Sequence, residues 1–180
     1  APGKGPGQRP ENRAAVFSAK ADGALIGAQE GTHFTAEVRG KFVDAPSRWT
    51  CFGLRPKVTA DRGSFYVIEV RAKQNNLVLW KQLKGKRDPA VDRTVDLPPV
   101  ELERWYTLRC TLRGDRLHVE LDGRKLIDLV DASPIRSGRT AISASHGTVH
   151  VDDFRQQELE CDYRFAEAEP AWEPYDPGPA

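Results

Sequence analysis

Two carboxylates on one strand face are the simplest reactive pair that a β-rich chain can offer. Glu120 and Asp122 stand two apart in RGDRLHVELDGRKLIDLVD, residues 113–131, and side chains two apart on a strand share a face at about 7 Å. Glycoside hydrolysis needs two acids about 5 to 9.5 Å apart. Asp122, however, precedes a glycine in a turn, where an aspartate accepts backbone hydrogen bonds. Glu120 alternates outward with His118, so the pair reads as a solvated strand face. Asp152 and Asp153 are neighbours in VHVDDFRQQ, and adjacent residues of an ideal strand point to opposite faces. They read as hydrogen-bonding groups near a bulge or edge.

His33, His118, His146 and His150 are scattered, whereas zinc requires three or more converging ligands. Ser145, His146 and Asp152 can be written as a nucleophile, base and acid, but no nucleophile elbow presents the serine. No P-loop, dinucleotide fingerprint or HExxH is present. No catalytic residue is assigned.

Binding chemistry is better represented. Flat rings that pack on apolar sugar faces, with cations nearby, are offered by Trp49, Tyr66 and Trp80 together with Arg71. Trp80 shares a strand face with Val78, which points it toward a core. Trp105 reads as a packing residue at a sheet edge. The run KQLKGKR, residues 81–87, adds Lys84 at the centre of a local basic patch. Arg39, Arg55, Glu69, Arg71, Lys81, Arg109 and Arg113 fall on the wet sides of their segments, lining a groove or simply solvated.

The elements that must position these residues are strands. In THFTAEVRGKF, Phe34, Ala36 and Val38 fall on one face and Thr35, Glu37 and Arg39 on the other, the period of two that marks a half-buried strand. WYTLRCTLRG repeats the pattern with Tyr106, Leu108, Cys110 and Leu112 inward, and LHVELDG with Leu117, Val119 and Leu121. The glycine after Asp122 supplies the positive φ of a compact hairpin. WTCFGLRP, GSFYVIEVRA, NLVLWKQL, KLIDLVD, TAISAS and HGTVHVDDFRQQ are further strands. QNN, residues 74–76, is a tight turn, KGKRDPAVD a loop and TVDLP a short strand. No stretch carries a long helical stripe. About ten or eleven short strands predict an all-β, two-sheet antiparallel sandwich of jelly-roll type.

Composition agrees. The chain has 180 residues, enough for one domain, with 27 basic and 26 acidic side chains. So balanced a charge gives no field for a polyanion, and nucleic acid is not an expected partner. No apolar run reaches the roughly 20 residues of a membrane helix, so no membrane insertion is expected. Cys51, Cys110 and Cys161 form no CxxC pair and read as buried thiols, with one bridge left open. Residues 1–13 read as a flexible Gly- and Pro-rich leader that begins after processing or at a boundary. Residues 14–157 form the sandwich. Residues 158–180 form an acidic, aromatic and proline-rich segment in which Tyr163, Phe165, Trp172 and Tyr175 pack partly back on the sandwich.

ERWYTLRCTLRGDRLHVELDGRKLIDLVD followed by SGRTAISASHGTVHVDDFRQQ resembles the C-terminal half of concanavalin A-like jelly rolls of the laminin-G-like kind, such as modules attached to bacterial secreted glycan-processing proteins. With THFTAEVRGKF as the early strand, the likeness spans roughly residues 14–157. It implies the sandwich fold and, at Asp152 or Asp153, a structural Ca²⁺ completed by backbone carbonyls. Glucanase members carry ExDxxE on one strand, and YVIEVR, residues 66–71, offers only Glu69. The Arg, Gln, His and Tyr set of lyase members is not placed here. The fold hosts many functions.

The expected function is therefore a non-catalytic recognition or structural module of an extracellular or envelope protein, with glycan as leading ligand. Trp49, Tyr66, Trp80, Arg71 and Lys84 are its candidate contacts. A polysaccharide-active hydrolase or lyase, and a protein-binding assembly domain using the C-terminal segment, stay open beside it.

Overall fold

The computed structural model describes residues 15–19 and 23–159. The leader and residues 160–180, with Cys161 and the four C-terminal aromatics, lie outside the described residues. Among the described residues, twelve strands run in chain order: β1 (Ala15–Ala19), β2 (Gly23–Gly31), β3 (Phe34–Phe42), β4 (Cys51–Val58), β5 (Phe65–Arg71), β6 (Asn76–Leu83), β7 (Lys86–Asp96), β8 (Trp105–Arg113), β9 (Arg116–Leu121), β10 (Arg124–Val130), β11 (Gly138–Ser145) and β12 (Gly147–Glu158). They form two six-stranded sheets. The first has the order β1-β12-β3-β8-β9-β10 and the second β2-β11-β4-β5-β6-β7. The pairings in both sheets are antiparallel. The expected all-β sandwich is what the chain forms.

The period-two segments explain the layering. β3 alternates buried and half-buried residues along its whole length, and Tyr106, Leu108, Cys110 and Leu112 of β8 all face inward. Across from them stand Phe52 and Leu54 of β4, Ile68 and Val70 of β5, and Leu77 and Leu79 of β6. Removing each such side chain from water contributes about 1.5–3 kcal/mol. Phe42 and Phe52 bridge the sheets with ring centroids 5.3 Å apart. The β9–β10 hairpin turns through Asp122 at φ 52° and Gly123 at φ 76°, the two consecutive positive φ values of a tight primed turn. Asp122 Oδ1 accepts the Thr107 amide at 2.8 Å, the backbone role expected of it.

One expectation fails in the second sheet. KGKRDPAVD is not a loop: β6 turns at Lys84 and Gly85, and β7 runs on from Lys86 to Asp96. Pro89 is accommodated because β7 is an edge strand, where a missing amide donor is tolerated. The pairing skips there. Lys81 opposes Asp88 and Leu79 opposes Arg93, so the four residues 89–92 bulge opposite Trp80 alone. That bulge shapes the surface described next.

Candidate functional site

Because Tyr66, Ile68 and Val70 face the core, Phe65, Glu69 and Arg71 of β5 must project from the other side of the second sheet. The same alternation sends Arg55 of β4 and Trp80 and Gln82 of β6 to that side. These residues line a cleft of about 500 Å³, closed at one end by Trp49, Ser145 and His146 from the sheet margin. Gly53 lies in the middle of β4, facing Glu69 of β5 and Ser143 of β11. A Cβ there would stand 1.9 Å from the Ile68 carbonyl oxygen, so only glycine lets the two backbones approach this closely.

The cleft's rings are each held by a guanidinium. Arg48 and Arg71 lie 4.9 and 5.5 Å from the Trp49 ring centroid, Arg87 lies 5.3 Å from that of Trp80, and Arg55 lies 6.0 Å from that of Phe65. Phe65 meets Trp80 edge-on at 6.0 Å. Such contacts are worth about 0.5–1 kcal/mol at exposed sites; their structural effect is to fix the rings' directions. Trp49 is nevertheless 48% exposed. Arg71 reaches Glu69 at 3.4 Å. Ser145 Oγ donates to the Trp49 carbonyl at 3.1 Å and lies 3.2 Å from Cys51 Sγ, tying the Trp49 loop to β11. His146, at φ 54°, has its buried Nδ1 without a hydrogen-bond partner. Such an atom is rare in a folded chain.

Beside the cleft, and sharing Trp49, Arg71 and Trp80 with it, is a second depression of about 290 Å³ that Arg87, Asp92, Arg93 and Thr94 complete from β7. It exists because of the 89–92 bulge. Arg87 is fixed there by Asp92, Nε at 3.0 Å and Nη2 at 2.8 Å.

Of the expected contact residues, the structure brings together Trp49, Trp80 and Arg71. Trp80 is on the outer face and not in the core, because Leu77 and Leu79 take the inward positions. Tyr66 is a correction. Its ring is 2% exposed in the core, and its hydroxyl donates to Asp131 Oδ2 at 2.7 Å. Burial, and then that hydrogen bond, push its pKa upward. Lys84 sits exposed in the β6–β7 turn, outside the cleft lining. Lys81 is not on a wet face: it is fully buried, 2.8 Å from both Asp131 and Asp88. The basic run is thus split between core, turn and the depression beside the cleft.

The reactive pairings weighed from the sequence dissolve on the structure. Ser145 and His146 belong to the second sheet's margin and Asp152 to β12 in the first sheet, so no triad assembles. Glu120 Oε1 accepts from His118 Nε2 at 2.9 Å, while Asp122 binds Arg104 at 3.1 Å. Asp153, at φ 52°, lies in a β12 bulge, pairs with Arg39 at 3.0 Å, and donates its amide to Asp152 Oδ1 at 2.8 Å. Among the described residues no group of three or more His, Cys, Asp or Glu gathers for a metal. The sequence does not single out Phe65, Gln82 or Arg93, and it marks Arg87 only as the end of the basic run. The signal for the first two is the alternation of β5 and β6, while Arg87 lies in a segment that reads as loop and Arg93 at its junction with a short strand.

No protein-family model matches the sequence, and no curated protein matches it. Solved structures do. A CBM66 carbohydrate-binding module from Bacillus subtilis superposes with a TM-score of 0.69 at 19% identity, covering 82% of this chain and 92% of that one. The galectin LEC-6 of Caenorhabditis elegans gives 0.59 at 13% identity over 79% and 95%. A Bacillus licheniformis β-glucanase gives 0.61 at 10% identity over 76% and 71%. The fold is a concanavalin A-like jelly roll. At these identities the likeness speaks for the architecture of the two sheets, and the residues of the cleft must speak for themselves.

Proposed function

We propose that this jelly roll is a non-catalytic recognition module that binds glycan in the cleft of the second sheet. The observation that carries the reading is the cleft itself. Two tryptophans stand at its walls with Arg55, Arg71, Glu69, Gln82 and His146 between them. Rings offer flat apolar area, and the polar side chains exchange hydrogen bonds with hydroxyls. Small-ligand sites commonly combine these two in a preformed concavity. The structural relative described as a carbohydrate-binding module supports the same reading.

Recognition is favoured over hydrolysis by the carboxylates. The cleft lining contains Glu69, and its partner across 3.4 Å is Arg71 and not a second acid. The two-acid arrangement of glycoside hydrolysis has no counterpart in that lining. Binding of exposed sugars is of modest strength because hydroxyls and guanidinium groups must both give up water. An extracellular or envelope setting, where glycans are displayed, belongs to the same proposal.

The test is a glycan array read by intrinsic tryptophan fluorescence. A saturable change is expected, and Trp49→Ala should weaken it by about tenfold, the loss of one good ring contact of about 1.4 kcal/mol. Silence across neutral and acidic glycans, with the chain folded by circular dichroism, would overturn the reading.

A further inference from the structure

The cations of the cleft are distributed unlike those of the chain. Over the whole sequence, 27 basic residues face 26 acidic ones. The cleft and the depression beside it are lined by Arg55, Arg71, Arg87 and Arg93 against Glu69 and Asp92. That is twice as many cations as carboxylates. Each of the four is an arginine, the commoner cation of a chain with 18 arginines and 9 lysines, and three lysines lie within the adjoining β6–β7 segment. Two of those lysines, Lys84 and Lys86, are exposed in the turn and at the start of β7, and the third, Lys81, is buried beneath the sheet.

The geometry explains why arginine matters here. Arg55, Arg71 and Arg87 lie over the Phe65, Trp49 and Trp80 rings at 6.0, 5.5 and 5.3 Å. A planar guanidinium held over a ring keeps its N–H donors in its own plane, directed sideways. Arg93 is aimed in a different way, by donating to the Asp92 carbonyl at 2.7 Å. Planar, pre-aimed donor forks suit an oxyanion that can accept two parallel bonds, a carboxylate or a sulfate. A neutral sugar, whose hydroxyls both donate and accept, would be served by a more even mixture of donors and acceptors.

We propose that the cleft and the β7 depression together take an acidic oligosaccharide, with a neutral part of the ligand between Trp49 and Trp80 and an anionic group of an adjoining unit in the depression near Arg71 and Arg93. The two hollows share the wall formed by Trp49, Arg71 and Trp80, so one chain of sugar units crosses from one to the other. This rests on the glycan reading above and adds the charge of the ligand to it.

The experiment titrates the full chain by tryptophan fluorescence with four probes: tetragalacturonate, its neutral counterpart galactotetraose, a sulfated chondroitin tetrasaccharide, and oligoglutamate. An acidic saccharide should bind about tenfold tighter than the neutral one. The advantage should shrink as ionic strength rises from about 0.1 M to about 1 M. Tetragalacturonate against chondroitin sulfate separates carboxylate from sulfate as the group recognised, and preference for either supports the proposal. Arg93→Gln should erase the preference, weakening tetragalacturonate far more than galactotetraose. Arg93→Lys, which keeps charge but loses the fork, should restore only part of it. Both variants are checked for an unchanged melt. Equal binding of neutral and acidic tetrasaccharides would overturn this inference and leave the glycan reading standing. Binding of oligoglutamate as tight as that of tetragalacturonate would overturn it too. Loss of all saccharide binding would sink both.

Discussion

The two sheets handle charge differently. On the outer face of the first sheet, cations sit opposite carboxylates, across neighbouring strands or, for Lys41, from the loop that precedes β8. Arg109 meets Glu37 at 2.6 Å, Arg116 meets Asp128 at 2.8 Å, and Lys41 meets Glu103 at 2.7 Å. Arg116 holds the Asp128 carboxyl well below the usual carboxylate range. These pairs are open to solvent, where each is worth about 0–1 kcal/mol. The second sheet gathers arginines on its outer face, with fewer acids to match, and sends two lysines inward. Lys57 is 1% exposed and Lys81 is fully buried. A face whose charges neutralise one another offers a ligand little. One with surplus donors does, and the sheet beneath it is pinned from inside.

The most severe way to break this contrast is at Lys81. Its ammonium donates to both Asp131 oxygens at 2.8 Å and to the Ser133 carbonyl at 3.0 Å. Asp131 also accepts from Tyr66 and from the Ser133 amide. Burial works against the charge on Lys81, and the Asp131 and Asp88 carboxylates outweigh it, raising its pKa. Lys81→Met keeps the apolar stem but leaves a buried carboxylate without its counter-ion. It should cost about 3–5 kcal/mol, read as a shifted urea midpoint at constant slope. Lys81→Met with Asp131→Asn should recover part of the loss. A single variant within about 1 kcal/mol of the parent would show that the network does not pin the sheet.

How far the sequence foretold this follows from what each segment had to do. Strands β3, β8 and β9 bury one face and wet the other, so Phe34, Leu108 and Val119 announced themselves by period two. In the second sheet the pattern is blurred, because β4 and β5 are buried on nearly every residue. The cleft floor counts as buried as much as the core does. Tyr66 is therefore expected on the wrong side and Trp80 is pulled between core and cleft, whereas Trp49, Arg71 and Trp80 of the expected binding set all line the cleft. Lys81 was misplaced because an inward lysine needs Asp131, fifty residues away in the chain, and no local pattern carries that partner. β7 was read as loop because Pro89 and a four-residue bulge interrupt it, and the bulge is what opens the second depression.

A gentler perturbation addresses the other inward lysine. Lys57 donates to the Thr32 and Arg136 carbonyls and lies 5.6 Å from the Phe34 ring centroid. Burial, with the Arg136 charge adding to it, lowers its pKa from 10.5 to about 8. Between those two values the unfolded chain binds more protons than the folded one, so stability rises with pH. Below about pH 8 the penalty of the buried charge is present in full. Through the window toward pH 10.5 it is relieved, by about 1–3 kcal/mol. Comparing the parent with Lys57→Met by urea unfolding at pH 7.5 and about pH 10 isolates this residue from other titrating groups. The difference between the two proteins should change across the window. A constant difference would mean that Lys57 stays charged and fully compensated.

The smallest effects belong to the first sheet, and Asp153 is the informative case because a calcium role was expected for it. A Ca²⁺ ion collects six to eight oxygens, and at the β12 bulge the Asp153 carboxylate already meets the Arg39 guanidinium at 3.0 Å. Bringing a divalent cation there would set it against that guanidinium. Asp152 Oδ1 is engaged by the Asp153 amide, which holds the bulge in the left-handed turn at φ 52°. The pair is partly exposed, so Asp153→Asn should cost no more than about 1 kcal/mol. Adding Ca²⁺ or a chelator should leave the melting temperature of the parent unchanged. A Ca²⁺-dependent rise that Asp153→Asn abolishes would reverse the assignment. The outer face of the first sheet would then hold a metal, and its difference from the second sheet would lie in which charge it recruits and not in whether it recruits any.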